Sequence, residues 1–357
     1  MQAMVRKEFR QVRRDRRTLA LMIVVPLLLL VVFGYVARFD VKEIPTAVLG
    51  AQAQIVADRL EAEEADPFAI VLVDPAGTAQ TAEDLLRRSR AVIAIVAETL
   101  PFTFYVDGSE MFAAQSARAA MSGLVPFPAG TARVEVLFIP DLSPAAVMVP
   151  ALIGMVLTAV GTVITSLGVV RERQEGTLEQ LAVMPLRPRD VIVGKIAPYF
   201  LVGIVDMVVI TAAGLLLFNV PFRGSWPVFI AGSLLFLLAV LGVGVLISTL
   251  SQTQGEAIQL AIMTMLPQVM LSGMIFPLTS MPWGVRWISY LLPLTYFVQI
   301  VRGVFLKGTP IDALWVPFVA LAALATVVLV LALLRFRRDL APSGRRGRDT
   351  IPQEAAP

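Results

Sequence analysis

The sequence predicts a helical membrane fold of six spans, with an α/β domain inserted between the first and second. Three observations carry this prediction. Mean hydropathy is +0.77, and 57% of the 357 residues are hydrophobic while only 16% are charged, well below the roughly 25% charged typical of soluble domains. Six windows, 19–37, 146–170, 196–218, 227–250, 257–279 and 313–334, come close to the roughly 20 apolar helical residues needed to cross about 30 Å of hydrocarbon. Between the first two windows, 38–145 changes to short β-branched and aromatic runs that alternate with helical stretches.

The elements follow in chain order. The tail 1–18 carries Arg6, Lys7, Arg10, Arg13, Arg14, Arg16 and Arg17 directly before the first window. That window is longer than the apolar part of a secretory leader, and Tyr35 before Ala37 is a poor cleavage context, so it reads as an uncleaved anchor. The paired Arg13-Arg14 and their neighbours orient a span and meet anionic lipid, and they call for no nucleic acid.

In the inserted domain, strands are expected at 44–50, 68–74, 91–97, 102–106 and 133–138, and helices at 51–64, 82–90 and 110–123. Leu85, Leu86 and Val92 fall in its core, and Glu61, Glu63, Glu64 and Asp66 on a solvated face. Asp107-Gly108-Ser109 supplies a turn and an N-cap for the third helix, and asks for no further role.

After the second window, the loop 171–195 contains RERQEGTLEQLAVMPLRP. Thr177 and Gln180 have the spacing of a capping box, Gly176 breaks any preceding helix, and Pro185 stops continuation. The outcome is a helix of barely two turns, too short to hold itself without another surface. An ordinary positively charged loop explains Arg171 and Arg173 but not a capped short helix.

Polar groups inside the windows are candidates for a translocation path. Asp206 lies near the middle of the third window, where an aspartate costs about 2.5–3.5 kcal/mol to insert, and Arg302 is a candidate counter-ion. Gln259 and Gln268 in the fifth window, with Thr158, Thr162, Thr165 and Thr211, are further candidates to line the route; such groups also join helices to one another. The segment 280–312 is apolar yet interrupted by Pro282 and Pro293, which points to a broken, re-entrant hairpin whose backbone is covered by protein. The chain then ends in a basic tail, 335–357. Eighteen of the thirty Lys and Arg lie in the two tails and the 171–195 loop, which places both termini in the cytoplasm.

Several function classes are excluded. With neither Cys nor His in the chain, no disulfide framework, His-ligated metal site or Ser-His-Asp triad can form. Gly194-Lys195 has Arg189 where a P-loop needs its first glycine, and Ile196 follows the lysine. The chain therefore binds no ATP through a P-loop and is expected to hold no cofactor. An intramembrane protease would need a second carboxylate beside Asp206.

On these residues the chain resembles the permease subunit of an ABC-2 type exporter with a large extracytoplasmic domain. The resemblance rests on the 171–188 motif with Gly194-Lys195, on Val106-Asp107-Gly108-Ser109, on Ser272-Gly273 through Pro277, and on Met281-Pro282, Pro293-Leu294-Thr295-Tyr296 and Arg302-Gly303. Ile139-Pro140-Asp141 departs from it, since the family carries an asparagine-proline pair there.

The resemblance implies a type V ABC exporter-like bundle in the bacterial inner membrane, with two permeases pairing as a homodimer or with a sister subunit. A separate ATPase, which would carry ATP and Mg, would dock on Arg171, Glu172, Arg173, Glu175, Gly176, Thr177, Leu178, Glu179 and Gln180. The cargo implied is a small hydrophobic or amphipathic compound, and a periplasmic adaptor is a further partner to consider. Export of a polysaccharide or envelope component, and a membrane-anchored sensor or scaffold, remain as alternatives.

Overall fold

A computed structural model describes residues 44–62, 68–110, 114–115, 132–139, 144–175, 188–275, 277–278 and 281–340. The first expected span, 19–37, lies outside them, as do 176–187 and most of the helix expected at 110–123.

The amino-terminal part is a five-stranded sheet with helices. β1 (Ile44–Leu49), α1 (Ala53–Ala62), β2 (Phe68–Asp74), α2 (Ala79–Arg87), β3 (Ile93–Val96), β4 (Phe102–Asp107) and β5 (Ala132–Leu137) follow in order, and the spatial order is β2-β1-β3-β4-β5. Only the β3–β4 pair is antiparallel. β3 lies in the middle and is buried throughout, which is why its sequence, IAIV, does not alternate. Leu85 and Leu86 of α2 are buried as expected, and Val92 is half-buried. α2 begins at Ala79 rather than at 82, because Thr78 N donates to Thr81 Oγ1 at 3.2 Å and starts the helix a turn earlier.

The rest is helical. α3 (Pro144–Gln174), α4 (Pro188–Leu217), α5 (Trp226–Leu250), α6 (Gln254–Leu271), α7 (Trp283–Ser289), α8 (Pro293–Arg302), a π-helical turn (Gly303–Lys307) and α9 (Ile311–Leu340) complete the described chain. Among the described residues four of these, α3, α4, α5 and α9, contain stretches long and apolar enough to cross a membrane, and the broken pair formed by α7 and α8 with its π-turn, bent by 78°, adds a fifth only when counted as one span rather than as a re-entrant loop. Only the helix satisfies every backbone N–H and C=O of such apolar runs internally. The window expected at 257–279 is shorter than anticipated. Its helix stops at Leu271, capped at Ser272, where the chain turns through Gly273 at φ +83°.

α5 is the central element and packs against α3, α4, α8 and α9. It approaches α3 closely at Gly244, where a Cβ would stand 2.9 Å from Thr165 Cβ and 3.0 Å from Thr162 O, so a small residue permits the crossing. Aromatic rings fasten the broken pair to this centre: Phe236 stacks on Phe297 with centroids 4.2 Å apart, and Phe305 meets Phe222 and Phe229 edge-on. By contrast α4 and α9 leave Leu201, Val205 and Val209, and Trp315, Val319 and Val330, exposed. Outward apolar faces of this kind suit lipid.

Candidate functional site

Among the described residues, Arg88, Asp107, Glu110, Arg302, Lys307 and Asp312 gather where the sheet meets the broken helix pair. α2 ends in a left-handed cap: Ser89 has φ +54°, Arg90 N donates to Leu85 O at 2.9 Å and Ser89 N to Leu86 O at 3.1 Å. A left-handed serine costs roughly 1–2 kcal/mol. That cost is offset from a distant segment, for Lys307 Nζ donates to Ser89 Oγ at 2.7 Å and to Leu86 O at 3.3 Å, and Thr309 Oγ1 to Arg87 O at 2.8 Å. The ammonium thus sits on the negative end of the helix dipole, where a cation is favoured.

Asp107 closes the arrangement from β4. Its Oδ1 accepts from Ser109 N and Oγ at 2.9 and 2.7 Å, and its Oδ2 lies 2.5 Å from Lys307 Nζ. That last approach lies off the hydrogen-bonding direction, since Oδ2 has no hydrogen-bond partner, so the contact is a Coulombic pair. Asp107 is 1% exposed and Lys307 5%. The turn at 107–109 therefore does more than shape the chain, contrary to its sequence reading. Gly108 between them leaves no room for a side chain, as a Cβ would stand 2.8 Å from Ile139 O.

Two further ion pairs cross the same junction. Arg302 Nη1 lies 3.2 Å from Glu110 Oε1 and Nη2 donates to Met274 O at 2.9 Å, while Nε has no partner among the described residues. Arg88 bonds both Asp84, at 3.0 Å on its own helix, and Asp312 at the start of α9, at 2.7 Å. These two carboxylates, Asp312 foremost, hold the Arg88 guanidinium charged further above its ordinary range. Between the segments lies a chamber of about 370 Å³, walled by Arg88, Asp107, Glu110, Arg302 and Lys307 and by apolar groups such as Leu278 and Leu314.

The residues singled out in the sequence fall in three places. Arg302 is in the chamber, but its partners are Glu110 and Met274, and the pairing with Asp206 does not form. Asp206 is half-buried on α4 and makes no hydrogen bond or ion pair among the described residues. Gln259 and Gln268 lie on α6, each with a buried Oε1 that lacks a partner, and the Thr162, Thr165 and Thr211 hydroxyls share that state. Thr158 bonds back to Gly154 O at 2.7 Å, a helix-internal role.

At the opposite end of α3, Arg171 Nε meets Glu175 Oε1 at 2.9 Å in an exposed pair, and Glu172 is half-exposed. Gln174 accepts from Gln254 Nε2 at 3.0 Å, which ties this end to the start of α6. Gly176, Thr177, Leu178, Glu179 and Gln180 lie outside the described residues, as does the side chain of Arg173.

Sequence reasoning missed Glu110 and Lys307, the partner of Asp107. A lone lysine closing the apolar run 297–306 was the available signal.

Apolar helices with outward apolar sides, a broken helix pair among them and a sheet packed against that pair are the architecture of a polytopic membrane protein. The family model described as "ABC-2 family transporter protein" matches residues 16–334, and the chain belongs to that family. It is similar to "Probable multidrug ABC transporter permease YbhS" of Escherichia coli (strain K12), 29% identical over 366 residues that cover 95% of this chain and 97% of that protein. It is also similar to "Probable multidrug ABC transporter permease YbhR" of the same organism, 27% identical over 94% of this chain and 98% of that one. With "Inner membrane transport permease YhhJ" of E. coli K12 it shares 34% identity over 52% of this chain and 50% of the relative. The chain is thus the permease component of an ABC transporter, and ATP hydrolysis belongs to a separate subunit.

Proposed function

We infer that this permease exports a small hydrophobic or amphipathic compound across a bacterial inner membrane, with both termini in the cytoplasm and the sheet on the outer side. The observation that carries the reading is the polarity of α3. One end leads from the sheet and its chamber, and the other ends in the exposed charged turn Arg171–Glu175, which precedes the sequence expected to form the short helix. A motor at one end and a gated chamber at the other fit outward transport. The names of the YbhS and YbhR relatives favour drug-like cargo over a polysaccharide.

In this reading a separate ATPase subunit, carrying ATP and Mg, grips 171–180, and the permease pairs with a second copy or a sister chain. Asp206, Gln259, Gln268 and Arg302 contribute to the path. Charge reversal at both Glu172 and Glu179 tests the docking. Co-purification of the ATPase subunit is expected to fall at least tenfold while the permease stays membrane-inserted, and undiminished co-purification would overturn the assigned interface.

A further inference from the structure

We propose that the chamber between the sheet and the broken helix pair binds the anionic head of an amphipathic molecule, a carboxylate, phosphate or sulfate on an apolar body, with Arg302 as its anchor. Hydrogen-bond accounting leads to this choice. Asp107 is neutralised, because Ser109 occupies Oδ1 and the Lys307 ammonium is paired with Oδ2. Lys307 is occupied in turn, its donors directed at Leu86 O and Ser89 Oγ.

Arg302 is different. A guanidinium offers five N–H donors; here one nitrogen serves Glu110, one serves Met274 O, and Nε serves nothing. The residue is only 9% exposed, so water does not readily make up the difference, and a buried donor without a partner is costly. Among the described residues Arg302 is therefore the lining cation with an unspent donor, which an oxyanion matches in the paired geometry that guanidinium favours.

The lining holds three cations, Arg88, Arg302 and Lys307, and two carboxylates, Asp107 and Glu110; Lys307 and Arg302 face those two, and Arg88 faces Asp84 and Asp312, so the attraction for an oxyanion lies in the donors of Arg302 and not in net charge. Val298, Leu278, Leu314 and Pro317 supply an apolar wall for the body of the ligand. The volume of about 370 Å³ lies within the roughly 300–1,000 Å³ of small-molecule sites. This inference rests on the exporter reading only in naming the occupant as cargo; the binding itself stands apart from direction, nucleotide and motor.

The test uses a cysteine as reporter, since the chain has none of its own. Ala91 lines the chamber and is 2% exposed, so the Ala91→Cys thiol reports access to it through its maleimide labelling rate. The purified full-length permease in phosphatidylcholine nanodiscs, without nucleotide or ATPase, is titrated with hexyl phosphate, hexanol and inorganic phosphate. Hexyl phosphate is expected to slow labelling saturably, at concentrations at least tenfold below either of the others. Arg302→Gln is expected to weaken that protection by tenfold or more and Arg302→Lys to an intermediate degree, which separates loss of the anchor from loss of the fold.

Repeating the titration in phosphatidylglycerol nanodiscs distinguishes the sources: prior occupation by a lipid headgroup suppresses the hexyl phosphate effect there, whereas a free anionic cargo protects equally in both. Equal potency of hexyl phosphate and hexanol, or full protection in Arg302→Gln, would overturn the proposal. Either result leaves the docking test at Glu172 and Glu179 untouched.

Discussion

Removing the ammonium at position 307 should loosen the sheet from the broken helix pair more than any other single change at the junction. Lys307→Met keeps most of the apolar stem and deletes the charge. Asp107, 1% exposed, is then a buried carboxylate whose Oδ2 faces no cation, and breaking a buried pair from one side costs about 3–5 kcal/mol. The cost falls on the closed junction alone, because water solvates Asp107 once the junction opens. At about 1.4 kcal/mol per factor of ten, the open population rises by about a hundredfold to a few thousandfold.

The maleimide rate of the Ala91→Cys thiol reads that population directly. Asp107→Asn combined with Lys307→Met provides the control. The asparagine oxygen still accepts from Ser109, no charge is left stranded, and neutral replacement of a buried pair is often close to neutral. The double variant should return to within about tenfold of the parent rate, an interaction that a double-mutant cycle isolates. A Lys307→Met rate within threefold of the parent, or a double variant as fast as the single, would refute the reasoning.

Other consequences are smaller or lie elsewhere. Gly244→Ala places a methyl 2.9 Å from Thr165 Cβ, and such overpacking costs about 1–3 kcal/mol, so the thermal midpoint of the purified permease should fall; an unchanged midpoint would show that α3 and α5 separate freely there. Asp312→Asn removes the exposed partner of Arg88, whose contact at 2.7 Å belongs to a class worth about 0–1 kcal/mol and weakened by salt. Its effect on the Ala91→Cys labelling rate should stay below about fivefold and vanish at high ionic strength.

Much of the framework was legible in the sequence, because apolar length and strand alternation are local signals. The runs around Ile44, Phe68, Ile93, Phe102 and Val134 announce five strands, and those strands are present. Pro282 announces the start of α7, and Pro293 the break between α7 and α8. The site was less legible for a physical reason. Asp107 has a complete local explanation in its bonds to Ser109, and that sufficiency hid a partner two hundred residues away. Arg302 stood out as a charge in an apolar run, but its contacts, the Met274 carbonyl and Glu110, depend on how the chain turns after Leu271, which no periodicity encodes. Gln259 and Gln268 were visible as polar groups, and the structure leaves their buried oxygens unpartnered among the described residues.

The broken helix pair is held from two sides, and the two attachments differ in what parting them costs. On the bundle side Phe297 and Phe305 are buried against Phe236, Phe222 and Phe229. Hydrating such a side chain forfeits about 1.5–3 kcal/mol with nothing returned. On the sheet side the contacts are ionic and polar, and water entering there solvates both members of each pair, so that a matched parting recovers most of what burial had removed. A swing of a two-state transporter from 1:99 to 99:1 requires about 5.5 kcal/mol of differential binding, a quantity that two or three hydrated phenylalanines would consume. On these energetics the charged junction is the attachment that parts at the lower cost, and the aromatic attachment is the costlier one to open.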